Sequence, residues 1–149
     1  FAISFSVTGC KFENNDIRSP QELTIFNSSM SLEQFNFDYL KIDCDSNDTI
    51  MIYDYDDMIE LFNLADELVL TKSYEGYELP EDFDYLCSVT FFRQGKDGRP
   101  DVSYYFYVSK VGEICYRRQR LAASDVYYTA ESTAILNEVN RLIELYNQS

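Results

Sequence analysis

The sequence predicts an α+β fold, a single domain spanning residues 1–149 in which an antiparallel β-sheet, a hairpin plus a meander, is packed by two main α-helices. Three observations lead there. Short segments alternate apolar and polar residues with the two-residue period of half-buried strands. Two longer stretches repeat apolar residues at helical spacing. Hydrophobic residues make up 46% of the 149, with only 5 Gly and 3 Pro, so there is neither linker nor low-complexity tract to divide the chain. That length fits one domain and buries enough surface to fold without a metal or disulfide staple.

Phe1, Ile3, Phe5 and Val7 alternate with small polar residues and read as a first strand, ended by Gly9 and the turn Asn14-Asn15-Asp16. Ser19-Pro20-Gln21-Glu22 has the chemistry of a capped helix start, whereas Leu23-Thr24-Ile25-Phe26 has that of a strand, so residues 19–26 stay open between the two. Residues 35–53 read as a hairpin: Phe35, Phe37 and Tyr39 alternate, Asp45-Ser46-Asn47-Asp48 turns, and Thr49-Ile50-Met51-Ile52-Tyr53 returns. A helix follows over about 56–71, capped by Asp54 or Asp56, its apolar stripe Met58, Leu61, Phe62, Ala65, Leu68 and Val69. Residues 73–84 show no periodicity and read as a loop. Leu86–Phe92, Val102–Val108 and Ile114–Tyr116 then form a three-stranded meander around the turns at Gly95–Gly98 and Val111-Gly112. Thr129 is the expected cap of a last helix, which aligns Ile135, Val139, Leu142, Ile143 and Tyr146.

Composition excludes several function classes. Histidine is absent, which removes histidine-based triads, histidine general bases and the common zinc ligand sets. No apolar run approaches the roughly 18 residues of a transmembrane helix. Cys10, Cys44, Cys87 and Cys115 are widely spaced and form no C-x-x-C pair, so they predict reduced, mostly buried thiols. The opening Phe1–Phe5 lacks the basic start of a signal peptide. With the reduced thiols it makes a cytoplasmic location the expectation.

Charge is the loudest signal. The formal net charge is −14, and residues 38–84 hold fifteen acids against two bases, Lys41 and Lys72, a formal −13. Residues 85–120 lean the other way, with seven bases against three acids. Such a surface repels nucleic acid and anionic membranes and attracts basic proteins. A solubility coat gives no reason for such unevenness, so one face or edge is expected to be negative by design. Within that segment the acids Asp54, Asp56, Asp57, Glu60, Glu75, Glu78, Glu81, Asp82 and Asp84 are interleaved with Tyr53, Tyr55, Tyr74, Tyr77, Phe83 and Tyr85. Aromatic residues among charges supply rigid contact area of the kind found at interface hot spots. The expected partner-binding set is therefore Asp54, Tyr55, Asp56, Asp57, Glu60, Tyr74, Glu75, Tyr77, Glu78, Glu81, Asp82, Phe83 and Asp84.

Competing chemistries are weaker. Asp43 to Asp54 has the acid spacing of a calcium loop, but Asp48 replaces the glycine of its sharp turn and a strand replaces the entering helix, so a hairpin turn is favoured. No phosphate-cradling glycine loop accompanies the carboxylates, and no cofactor, metal site or catalytic residue is expected. Arg117, Arg118 and Arg120 are too few to bind nucleic acid directly against the overall charge. The profile (about 150 residues, strongly acidic, histidine-free, without a catalytic motif) resembles that of the immunity proteins bacteria make against their own secreted nuclease toxins. That resemblance implies a non-enzymatic inhibitor that fills the basic active site or substrate groove of its target. Two alternatives share or change the physics. One is a phage or mobile-element protein that mimics DNA and blinds a restriction or CRISPR enzyme. The other is an adaptor or homodimer whose acidic half meets the basic residues of a second copy.

Overall fold

The computed structural model describes residues 23–75, 78–118 and 126–147. The expected strand at Phe1–Val7, the helix-start chemistry of Ser19–Glu22, and Cys10, Tyr77 and Arg120 lie outside the described residues. The elements run α1 (Leu32–Phe35), β1 (Tyr39–Cys44), β2 (Thr49–Ile52), α2 (Tyr55–Glu67), β3 (Lys72–Glu75), β4 (Tyr85–Gln94), β5 (Pro100–Ser109), β6 (Glu113–Arg118), β7 (Val126–Glu131) and α3 (Thr133–Asn147). Among the described residues, seven strands pair antiparallel in one sheet of order β2-β1-β4-β5-β6-β7-β3. The α+β class holds, and the sheet is larger than a hairpin plus a meander.

Local chemistry accounts for the joints. The β1–β2 hairpin turns through Asp45–Asn47 with Asn47 at φ 69°, the left-handed third position of a three-residue hairpin loop. Asp54 caps α2 as expected, its carboxylate accepting from Asp56 N (2.8 Å) and Asp57 N (3.3 Å). Gly112 takes φ 91° in the β5–β6 turn, where a side chain is strained, and its carbonyl accepts from Ser132 N at 2.8 Å. Ser109, fully buried beneath that turn, accepts from Glu113 N at 2.9 Å.

Several expected boundaries are corrected, among them the end of α2, which stops at Glu67 before Leu68 and Val69 of its expected stripe. Residues 126–131 form β7, and α3 is capped three residues later than expected, by Ser132, whose hydroxyl accepts from Ile135 N at 3.0 Å. Both Thr129 and Ser132 have cap chemistry, but Val126-Tyr127-Tyr128-Thr129 has the β-branched and aromatic bulk that pairs with β6. Residues 73–75, expected as the start of a loop, pair with β7 in the edge strand β3. Phe35 and Phe37, expected in a strand, flank the end of α1, a single turn closed by the capping box of Ser31 and Gln34.

Pairing register sorts the side chains into two faces. Leu40, Ile42, Ile50, Ile52, Val89, Phe91, Phe106, Val108 and Ile114 point to one face and join Met58, Leu61, Phe62 and Ala65 of α2 and Ile135, Val139 and Leu142 of α3 in the main core. Ile25 and Phe26 enter the same core from a stretch held by the single bridge Leu23–Leu70, so the open piece at 23–26 is neither a helix nor a full strand. Phe26 stacks on Phe62 at 4.5 Å within an aromatic group that includes Phe35, Phe37, Phe91 and Tyr104. The opposite face has a much smaller core, Phe83, Cys115 and Tyr127, flanked by Leu79, Tyr85 and Tyr107.

Candidate functional site

The acidic segment folds into two patches separated by the sheet. The first is the start of α2. Its stripe binds it to the main core, which leaves Asp54, Asp56 and Glu60 on the exposed side and Asp57 half-buried. Tyr55, 41% exposed, is the first residue of α2, and Tyr53, 67% exposed, precedes it at the sheet edge, its ring on the face opposite the main core. Tyr53 is placed by Tyr39, 5.9 Å away, which in turn stacks on Phe92 at 4.7 Å. Partial desolvation, and next the Glu33 carboxylate, hold the Tyr55 hydroxyl above the usual phenol range. The ridge from Tyr53 to Glu60 thus alternates carboxylates with outward-facing rings.

Asp57 is fixed from below. It accepts a hydrogen bond from the Tyr146 hydroxyl of α3, which pushes that phenol up to about 12. Arg141, also on α3, lies within electrostatic reach of Asp57 and Glu60 but commits its guanidinium to Glu138, by contacts of 2.8 and 2.7 Å. Glu138 is only 8% exposed, so the pair satisfies a nearly buried carboxylate instead of cancelling the ridge. Asp66 and Glu67 occupy the last turn of α2, where the helix dipole disfavours negative charge. Burial, and then Glu67, raise the Asp66 carboxyl above its usual range. Dipole compensation accounts for Asp56 and Asp57 but runs opposite to Asp66 and Glu67.

The second patch is the connection from β3 to β4, which crosses the other face of the sheet. Phe83, 8% exposed, is turned inward onto Cys115 and Tyr127, so it anchors the loop to the sheet. Glu78, Glu81, Asp82 and Asp84 are exposed around it. Lys110 lies 3.8 Å from Asp84 and 3.9 Å from Asp45, drawing the loop end to the hairpin turn. Glu78, Glu81 and Asp82 form no ion pair among the described residues. For Tyr74 and Glu75 the description is of the backbone in β3, in register with Tyr127 and Val126.

The structure therefore brings Asp54, Tyr55, Asp56, Asp57 and Glu60 together on the helix side, and Glu78, Glu81, Asp82, Phe83 and Asp84 together on the far side. It adds Glu33 to the first group and sets Tyr53 next to it at the sheet edge, packed against Tyr39. Tyr53 was visible as an aromatic beside the acids, whereas Glu33 arrives through the α1 turn, which the sequence pattern did not reveal.

Asp43–Asp48 is a strand end and hairpin turn, in which Ser46 donates to Asp48 (3.0 Å) and Thr49 to Asp43 (2.8 Å). Among the described residues no cluster of three acidic or cysteine side chains is placed to hold a metal ion. Cys87 is buried opposite Cys44, and burial, then Cys44, pushes its thiol up to about 12, far from thiolate reactivity. Arg117 lies over the Tyr105 ring, 5.8 Å from its centroid. Among the described residues no helix is long and apolar enough to cross a membrane. In comparisons with family models, curated proteins and solved structures, the chain matches none.

Proposed function

We propose that this protein is an acidic inhibitor of the immunity type, which binds and blocks the basic active site or substrate groove of a nuclease-type toxin in the cytoplasm. One observation carries the proposal: the ridge from Tyr53 to Glu60 combines exposed carboxylates with two exposed tyrosines on a helix start locked by Asp54, Asp57 and Tyr146. Its carboxylates would take the places where the enzyme's Lys and Arg normally hold phosphates, and the rings would supply apolar contact that survives salt. The surrounding negative field speeds encounter, with on-rates towards about 10⁸–10⁹ M⁻¹s⁻¹ at low salt. No bond is made or broken by the inhibitor itself. Acids also stand in the last turn of α2, where the dipole opposes them, so helix-dipole compensation alone does not explain the negative charge on this side of the molecule.

The test is recovery of the partner from the native host at low salt, followed by titration with purified components. One-to-one binding that weakens as salt rises, and inhibition of the partner's nuclease activity, are the expected results. Charge reversal of Asp56, Asp57, Glu78 and Asp82 together with no change in affinity would overturn the proposal. A partner that is a restriction or CRISPR enzyme would favour the DNA-mimic alternative instead.

A further inference from the structure

Among the described residues, the strand beside the acidic ridge, β2, ends the sheet. In the hairpin, Cys44 N donates to Asp48 O at 2.9 Å, so the hydrogen-bonded pairs alternate as 44/48, 42/50 and 40/52. Asp45 N donates to Leu86 O at 2.9 Å, which places the odd-numbered residues of β1 towards β4 and confirms the phase. Thr49 and Met51 consequently turn their N–H and C=O groups away from β1, towards the open side of the sheet. Neither backbone makes a hydrogen bond to the described residues outside the strand pairing.

Natural sheets guard such edges with lysine, proline, a bulge or inward-pointing charge. The opposite edge, β3, carries Lys72, exposed to solvent. Strand β2, Thr-Ile-Met-Ile, is short at four residues but carries no lysine, proline or inward-pointing charge, and its pairing with β1 is in continuous register. What flanks it is negative: Asp48 before it, Asp54 and Asp56 after it, all exposed. That flank repels a second copy of a chain carrying −14 and leaves the edge open to an extended segment of opposite charge.

We infer that β2 is a docking edge for a basic, extended segment of the partner, which adds as a further strand through the backbone of Thr49 and Met51. This rests on the proposed inhibitor function and specifies its binding mode. Backbone pairing gives the added segment its register, and alternate side chains then fall on one side next to Met51 and Tyr53. Lysine or arginine at the ends of the segment meets Asp48 and Asp54.

The experiment uses the full chain and three short synthetic peptides: alternating Lys–Val, alternating Lys–Pro and alternating Glu–Val. Lys–Pro keeps the charge but lacks the N–H groups that a ladder needs. Binding is read by fluorescence anisotropy, and strand addition by amide exchange at Thr49 and Met51. The expected result is that Lys–Val binds, slows exchange at Met51 about tenfold, and loses about tenfold in affinity in Met51→Pro, a substitution an edge strand tolerates because that N–H bonds nothing in β1. Met51→Ala is expected to retain binding. Equal binding of Lys–Pro and Lys–Val, or unchanged binding in Met51→Pro, would overturn strand addition while leaving the acidic-inhibitor proposal standing. Failure of both basic peptides at low salt, or binding of Glu–Val, would count against the inhibitor proposal as well. A salt-resistant dimer in light scattering that Met51→Pro dissociates would assign the edge to a second copy and overturn the inference. Should Met51→Pro fail to fold, the Lys–Pro comparison on the wild-type chain decides.

Discussion

The two acidic patches are built from the same residue types, yet their rings face opposite ways. Along the α2 ridge, Tyr53 and Tyr55 point to solvent while Phe62 underneath is 2% exposed and belongs to the main core. In the 78–84 loop the large apolar side chains, Leu79 and Phe83, turn inward onto the small second core, and the exposed positions carry carboxylates. A patch with outward rings offers both charge and dry contact area. A patch of carboxylates alone offers a field. Under the proposed function the ridge would hold a partner and the loop would steer one, since exposed charges act chiefly on association and buried aromatic contacts on dissociation.

The largest expected effects test how firmly each patch is seated. Phe62→Ala removes a ring stacked on Phe26 in the main core and is expected to cost about 3–5 kcal/mol. Phe83→Ala empties a smaller cluster and is expected to cost less, about 1–3 kcal/mol, while loosening the loop. Chemical denaturation of both variants checks the difference, and equal losses would mean that the loop is as deeply anchored as the helix.

Arg141→Met leaves Glu138, 8% exposed, without its cation and is expected to cost about 1–3 kcal/mol, less than for a fully buried pair because Arg141 itself is half-exposed. Glu138→Gln in the same background should restore part of that loss. A denaturant series on the single and double variants reads the coupling.

A smaller effect, about 1 kcal/mol, is expected for Tyr146→Phe, which removes the hydrogen bond to Asp57. Its pH dependence has a definite sign. The folded phenol titrates at about 12 against 10.0 for the free group, so its contribution is fully present below pH 10 and is lost as pH rises from 10 to about 12. Wild type and variant should converge in stability across that window, as followed by alkaline denaturation together with the phenolate absorbance. Asp66→Asn is the mildest case. Its carboxyl titrates high because burial and Glu67 disfavour the anion, so removing the charge is expected to raise stability at neutral pH by a few tenths of a kcal/mol. That gain should vanish as pH falls and Asp66 protonates.

Much of the architecture was legible in the sequence where one local signal dominated. The 39–52 hairpin, the stripe of α2 and the long strands β4 and β5 each carry an unbroken period over their length. Lys72–Glu75 was not legible, because a polar edge strand packs on one side only and owes its pairing to β7, far along the chain. The start of α3 was blurred by two residues, Thr129 and Ser132, that have the same capping chemistry. The acids and their aromatic neighbours were legible one by one, but their division between two faces was not. It depends on the chain after β3 crossing the sheet, and on Phe83 finding Cys115 and Tyr127, contacts between residues distant in sequence. Side-chain chemistry alone gave Tyr55 and Phe83 the same expected role, and only burial separates them.

The most direct measurement is the kinetics of binding to the recovered partner at two salt concentrations, for two charge-reversal variants. One carries Asp56→Lys and Glu60→Lys on the ridge, the other Glu78→Lys, Glu81→Lys and Asp82→Lys on the loop. The expected outcome is that the ridge variant dissociates at least about tenfold faster, while the loop variant chiefly slows association and loses its salt dependence. Wild-type kinetics in both variants at low salt would contradict a negative docking surface on this protein.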